Sequence, residues 1–384
     1  MFNSKEMLFY FLVYNLFITS ATQPAPVFKE QLIDSSVSIG YGIALGDVDG
    51  DKKPDILLAD KKQIVWYRNG DWKKFVIAEN LTQFDNVCIA ARDLDGDGKV
   101  EVAVGAQWNP SETSIDSLSG AVYYLVRPER MDQHWEAIEL PHEPTVHRMR
   151  WVKSSDGKYY LVVLPLHGRG NKGGEGSGVK VLAYEFPKDV HGEWQIHTIC
   201  DDMHMTHNMA IAEGNGKKTE IYIAGKEGVK VITEPFDRKN NMVFTKAEGR
   251  EHGSGEVKLS KNYIAAIQPM HGNRLVVYPG DQSMDRVLLD SNLNEGHALG
   301  VADFSGAGYD QVVAGWRNPD KDQQVGIKLY AKKDTQGNEW ESNWVDRNGM
   351  ACEDLQIMDL NADGKPDIVA SGRSTKNLKI YWNK

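Results

Sequence analysis
The chain has 384 residues, 41% of them hydrophobic and 26% charged, with 36 glycines and ten tryptophans, which is the make-up of a turn-rich globular protein and excludes disordered and collagen-like classes. A formal net charge of −10 argues against a dedicated nucleic-acid binder, which carries a basic stripe. Three cysteines, Cys88, Cys200 and Cys352, lie far apart with no CxxC, which excludes a disulfide scaffold and a zinc-ribbon site.

Residues 1–21 stand apart from the rest of the chain. Lys5 precedes the apolar run MLFYFLVYNLF, and ITSA then supplies small residues ahead of TQPAP, the layout of a signal peptide cleaved after Ala21. At about 15 apolar residues the run is short for a membrane span; a signal anchor is the alternative. The mature chain is therefore expected to be exported, secreted or periplasmic, with no stable membrane insertion after cleavage.

Next, PVFKEQLIDSS (26–36) has the pattern of a solitary outer strand. A hairpin unit then recurs, each copy an apolar or alternating strand, a polar Gly/Asp turn and a second apolar strand. Full copies are GIALGDVDGDKKPDILLAD (42–60), CIAARDLDGDGKVEVAVGA (88–106), GVADFSGAGYDQVVAGW (300–316) and LQIMDLNADGKPDIVASG (355–372). Weaker ones are MRWVKSSDGKYYLVVLP (149–165), MAIAEGNGKKTEIYIAG (209–225) and the shortened EVKLSKNYIAAIQP (256–269). A third alternating run follows every hairpin, from QIVWYRN to the C-terminal LKIYWNK, and a fourth, more polar run follows six of the seven. The N-terminal strand supplies the missing one. The predicted fold is all-β, a single seven-bladed β-propeller over 26–384 closed by its N-terminal strand, because each blade buries its faces only against its neighbours and a ring leaves short, protected edges.

The turns carry the first chemistry. Asp47, Asp49, Asp51 and Asp55 occupy positions 1, 3, 5 and 9 of a nine-residue loop, as do Asp93, Asp95, Asp97 and Glu101, and again Asp359, Asn361, Asp363 and Asp367. Alternate oxygens around one centre, with glycines permitting the curvature, suit Ca²⁺, which takes six to eight oxygen ligands; ordinary Asx turns are the plainer reading of any single loop. The equivalent loop with Asp303, Ser305, Ala307 and Gln311 has lost two oxygens and is expected to be empty. These repeats resemble the FG-GAP/VCBS propeller family known from integrin α-subunit heads, and that resemblance implies structural calcium loops while saying little about function.

The opposite face gathers the starts of the inner strands and the ends of the second ones. Six residues before each loop stand Tyr41, Val87, His147, His207, His297 and Glu353, and the second strands end at Lys61, Trp108, His167, Lys226, His271, Trp316 with Arg317, and Arg373. His252 precedes the shortened fifth inner strand. Six histidines are thus predicted to converge on one mouth, where Tyr41, Trp108, Lys226, His271, Trp316 and Arg373 are candidate substrate-binding residues. His207, His252 and His297, 45 residues apart each time, can hold Zn²⁺ or another divalent metal with an open position. His147 and His167 sit at the two ends of one hairpin, suited to share general acid and base roles. With Arg317 or a metal polarising a carbonyl, this is apparatus for β-elimination. The Gly-rich GRGNKGGEGSG (168–178) is read as a lip over the mouth whose Arg169 and Lys172 face an anionic sugar.

The segments VHRMRW, LPLHGRG, THNMAIAEG and EGHALGVADF look like the propeller of fungal aldos-2-ulose dehydratase and are similar in layout to seven-bladed ulvan lyases. Those resemblances imply carbon–oxygen bond breakage in sugars by elimination, with His147 and His167 matching the catalytic pair. Typical lyase acid-neutralising and tyrosine positions have only Arg317 and Tyr41 as counterparts. The expected function is a carbon–oxygen lyase acting on a keto-sugar or a uronic-acid-containing glycan; the alternative is a non-catalytic propeller that binds glycan or protein.

Overall fold
The computed structural model describes residues 25–384 apart from 215–216, 235, 237–240, 247–252, 281–285 and 334–338; the expected leader, 1–21, lies outside the described residues. They form 28 strands, β1 to β28 in chain order, and one 3-10 turn at Asp116–Leu118. The strands make seven four-stranded sheets. Six are consecutive quartets whose innermost strands are β2 (Gly42–Gly46), β6 (Cys88–Arg92), β10 (Val146–Lys153), β14 (Thr206–Gly214), β18 (Glu256–Leu259) and β22 (Gly296–Ala302). The seventh joins β26 (Cys352–Met358), β27 (Asp367–Gly372) and β28 (Asn377–Asn383) to β1 (Phe28–Asp34), in the order β1-β28-β27-β26. The fold is an all-β seven-bladed propeller closed by its N-terminal strand, as the repeats predict.

Closure rests on a ladder running from Phe28↔Asn383 to Asp34↔Leu378 and on side chains that cross it. Lys379 Nζ donates to Glu30 Oε2 and Asp346 Oδ2, both at 2.9 Å, and Trp382 Nε1 donates to Gln31 Oε1 at 2.9 Å. Phe28 meets Phe304 of the sixth blade edge-on at 5.6 Å.

The core is divided among the blade interfaces. Seven apolar clusters each span neighbouring blades; one joins Ile43, Ile56 and Leu58 of the first blade to Val369, Leu378 and Ile380 of the seventh. Fully burying one such side chain contributes about 1.5–3 kcal/mol, so stability is distributed around the ring. Close approach between blades needs small residues on the inner strands. At Gly46 a Cβ would lie 2.4 Å from Val100 Cγ1.

The turn loops staple blade to blade. Asp55 accepts the amides of Val48 at 2.8 Å and Asn69 at 2.7 Å, and Asn69 Nδ2 donates to Leu360 O of the seventh blade at 2.9 Å. Asp367 repeats this with Leu360 and Asn383 amides, and Asn383 Nδ2 reaches Phe304 O at 2.8 Å. Gln311 takes the same place in the sixth blade. Its oxygen accepts the Phe304 amide, while its nitrogen donates to Ser305 Oγ and Tyr309 O, so an amide closes that loop where a carboxylate stands elsewhere.

Candidate active site at the histidine face
One backbone device aims the site. Each of β10, β14, β22 and β26 carries a bulge near its start, between Val146 and Arg148, Thr206 and Asn208, Gly296 and Ala298, and Cys352 and Asp354. The residue left out of the ladder is His147, His207, His297 or Glu353. A bulge re-aims a side chain that regular pleating would direct elsewhere, and here four of them deliver three imidazoles and a carboxylate to one mouth.

His207, His271 and His297 bring one ring nitrogen each within 4.8 Å of one another. His207 Nε2 and His271 Nε2 are 2.7 Å apart, and the ring centroids of the trio are 4.5, 4.9 and 5.0 Å apart. His207 Nδ1 donates to Gly255 O at 3.0 Å with Glu256 Oε1 at 3.1 Å, and His297 Nδ1 donates to Glu353 O at 2.5 Å. These partners fix the tautomers so that both Nε2 lone pairs face inward, the outer-sphere arrangement of metal-ligating histidines. At His271, Arg317 Nη2 lies 3.3 Å from Nδ1; the guanidinium can only donate, so Nε2 carries the proton shared with His207.

His147 is 5% exposed, and neither of its ring nitrogens has a hydrogen-bond partner among the described residues. It stacks on Trp108 at 4.8 Å and lies 4.7 Å from the His207 ring. A buried imidazole without partners costs free energy unless something else at the mouth satisfies it. Burial drives the pKa values of His147, His207 and His297 well below the ordinary histidine value, with neighbouring cationic charge adding to the effect. His271 moves the same way for the same first reason. All four are neutral at working pH.

Glu353, 2% exposed, organises the cationic edge. It accepts from Arg317 Nη1 at 3.3 Å and Arg373 Nη1 at 3.1 Å, and Arg317 also pairs with Glu295 at 2.7 Å. Burial raises the Glu353 pKa, and the two guanidiniums oppose that rise. Arg373 lies over the Tyr41 ring at 5.5 Å, and the Tyr41 hydroxyl donates to Asp85 Oδ2 at 3.1 Å. His167 is half-buried next to the opening strand of its hairpin, its amide donating to Thr145 Oγ1 at 3.0 Å, and burial lowers its pKa.

Other predicted site residues fall differently. Trp316 is fully buried, donates from Nε1 to Gln324 O at 2.9 Å and packs against Trp344; it is an inter-blade core residue out of reach of any ligand at the mouth, because strand alternation turns it away from Arg317. Lys226 donates to Gly174 O and Glu175 Oε1, holding the lip. That lip is a structured turn built on buried Asn171, which bonds to Ser177 O, His204 O and the Gly174 amide. Its Arg169 is engaged by Glu143 and Asp116 and is not held out toward a ligand. His252 lies outside the described residues, and His271, read from the sequence as a rim residue, stands with His207 and His297. The supporting acids Glu256 and Glu295 escape the sequence pattern: Glu256 opens the hairpin whose shortened turn blurs its alignment, and Glu295 adjoins a motif histidine.

On the other face, Asp47, Asp49 and Asp55 form one group with oxygens within 4.8 Å, and Asp93, Asp95 and Glu101 form a second. Asp51 is drawn to Lys53 at 3.2 Å and Asp97 lies 3.8 Å from Arg127. In the third loop Asp359 accepts the Asp363 and Gly364 amides. Burial raises Asp55 and Glu101 to about 7, with neighbouring loop acids adding to the rise. A mutually repelling carboxylate set with one buried member in each loop fits a hard cation.

Comparison with known proteins bears on both faces. Residues 47–104 match the FG-GAP-like repeat, and residues 119–281 match the family described as the aldos-2-ulose dehydratase β-propeller domain. The aldos-2-ulose dehydratase of Phanerodontia chrysosporium is 22% identical over 259 residues, covering 62% of this chain and 28% of that protein; the chain thus spans less than a third of the length of this curated relative. Among solved structures, a chain of the BBS1N–ARL6DN complex superposes with a TM-score of 0.60 at 13% identity, covering 94% of this chain and 97% of that one. The extracellular domain of the one-component system BT4673 from B. thetaiotaomicron gives 0.54 at 10% identity, covering 92% and 39%. Likenesses at these identities concern the fold alone.

Proposed function
We propose that the histidine face is the active site of a carbohydrate-active carbon–oxygen lyase that works by β-elimination on a keto-sugar or a uronic-acid-containing glycan. The observation that carries this reading is His147: a neutral, buried imidazole with no hydrogen-bond partner among the described residues, beside three further imidazoles and two arginines. The match of residues 119–281 to a sugar dehydratase propeller supports the substrate class.

His207, His271 and His297 would hold a divalent metal such as Zn²⁺, and their donor set fits one because two of the three rings are fixed by their Nδ1 partners. When bound, that metal would polarise the substrate carbonyl. His147 takes the carbon-bound proton next to that carbonyl; the freed electron pair forms the carbon–carbon double bond as the carbon–oxygen bond one position along breaks. His167, at the wetter end of the same hairpin, returns a proton to the departing oxygen. Arg317, held by Glu353 and Glu295, orients the carbonyl or carboxylate, while Trp108 and Tyr41 with Arg373 wall the mouth. The acid loops are assigned to structural Ca²⁺, and residues 1–21 to an export signal.

The test is absorbance of conjugated product during incubation with keto-sugars and uronate glycans. Wild type should form unsaturated product and His147→Ala should not, while both retain sugar affinity. Sugar binding by wild type with no unsaturated product from any of these substrates would make the protein a binding module instead.

A further inference from the structure
Beyond the histidine mouth, the central channel continues toward the acid loops and carries a separate set of charges. After each bulge the inner strands resume alternation. Arg148, Asn208, Glu256 and Asp354 form one layer, and Arg150, Ala210, Lys258, Gly300 and Gln356, two residues further along each strand, form the next. That second layer lines a cavity of about 360 Å³ together with Leu299, Leu355 and Ile357. Ala210 supplies only a methyl group to it, and Gly300 lets Ile357 pack close on the other side, where a Cβ would lie 2.4 Å from Ile357 Cδ1.

Two cations face this space with little to satisfy them. Lys258 has no hydrogen bond or ion pair among the described residues, and Arg150 donates only to Met149 O at 2.9 Å. Lys379, by contrast, pairs with Glu30 and Asp346, and Arg92 with Glu213. Burial lowers the pKa values of both Arg150 and Lys258; the Arg148 charge adds to the fall at Arg150 and the Arg150 charge adds to it at Lys258, while Asp354 and Glu256 oppose it at both. The nearby carboxylates act on these cations through space and make their hydrogen bonds elsewhere. Glu256 accepts from Asn208 Nδ2 at 2.7 Å, and Asp354 accepts the amides of Ile43 at 2.8 Å and Leu355 at 2.9 Å. Counting the two layers, three cations (Arg148, Arg150, Lys258) face two anions (Glu256, Asp354), which leaves one positive charge in a half-buried channel. Such a charge is costly without a partner.

We infer that the cavity between Arg150 and Lys258 is a second ligand site that binds a small organic monoanion through its carboxylate. The two cations stand on blades three and five, with Ala210 of blade four between them, so one carboxylate seated over Ala210 can accept from both. The single excess charge selects a monoanion over a dianion. The aliphatic wall of Leu299, Leu355 and Ile357 favours an organic acid with an apolar body over a strongly hydrated inorganic ion.

The probe is trifluoroacetate, followed by fluorine NMR on the full chain. Saturable broadening is expected in wild type, displaced by acetate and not by phosphate at equal concentration, and unchanged in His147→Ala, which separates this site from the proposed active site. Lys258→Met should weaken binding at least tenfold. Ala210→Asp, which retains both cations and places a carboxylate between them, should abolish binding and raise the thermal midpoint. Equal binding by wild type and the folded Lys258→Met or Ala210→Asp protein, or no binding by wild type, would overturn the inference, as would displacement by phosphate as readily as by acetate.

Discussion
His207 and His271, 64 residues apart on the fourth and fifth blades, meet at 2.7 Å through their Nε2 atoms. The contact exists because a bulge pushes His207 out of its ladder while His271, beyond the end of its second strand, adopts a left-handed backbone with φ of 51°. A metal ion held by the trio would have to displace the proton between these two nitrogens.

Metal content tests the trio. Purified wild type exchanged into metal-free buffer should retain about one transition metal per chain. His207→Ala/His297→Ala should lose it and keep calcium, as read by elemental analysis. Calcium alone in both proteins would remove the metal from the site and leave His147 to act with Arg317.

The acid loops make stability depend on pH with a definite sign. Asp55 and Glu101 titrate near 7 in the folded chain, against ordinary values of 3.8 and 4.5. Between about pH 4 and 7 these two acids therefore hold protons in the folded state that the unfolded chain has released, and their contribution to the chelated protein's stability falls as pH rises across that window. Calcium should reverse this trend, each site adding about 2.7 kcal/mol when free calcium is a hundredfold above its Kd. Thermal melts at pH 5 and 7.5, with and without chelator, read the crossing; identical slopes would remove calcium from the loops.

The buried histidines titrate in the opposite sense. His147, His207, His271 and His297 are neutral in the fold, whereas an ordinary histidine titrates at 6.5. Folding is therefore penalised as pH falls below that value. His147→Gln should flatten the acid limb of the stability profile, measured as denaturation midpoints from pH 7 to 5.

Glu353 is the hinge of the cationic edge. Glu353→Gln removes the charge that holds Arg317 and Arg373, and stability should fall by about 2–3 kcal/mol. A fully buried pair would cost about 3–5 kcal/mol, and the loss is smaller here because the Arg373 side chain is 40% exposed. Activity should fall more than tenfold through kcat/KM. An unchanged kcat/KM would show that Arg317 needs no carboxylate to hold its place.

Much of this architecture is legible in the sequence because propeller packing repeats. The seven hairpins, the closing role of 26–36 and the acid loops each recur with the same spacing, and recurrence distinguishes a motif from an accident. The bulges that aim His147, His207, His297 and Glu353 leave no mark, since an extra residue in one strand shows only against its partner. For the same reason Trp316 reads as a rim residue, although alternation turns it into the core and leaves Arg317 outside. His271 reads as rim because its left-handed backbone, just past the end of its strand, brings the ring to His207 in a way that spacing cannot express.

The most direct test of the elimination chemistry is proton NMR of a keto-sugar or uronate glycan, unlabelled and deuterated at the carbon next to the carbonyl or carboxyl group, incubated with wild type and with His147→Gln. An olefinic proton signal should grow with wild type, more slowly from the deuterated substrate, and be absent with His147→Gln. No olefinic signal with wild type, or equal growth with the variant, would contradict the assignment of His147 as the base.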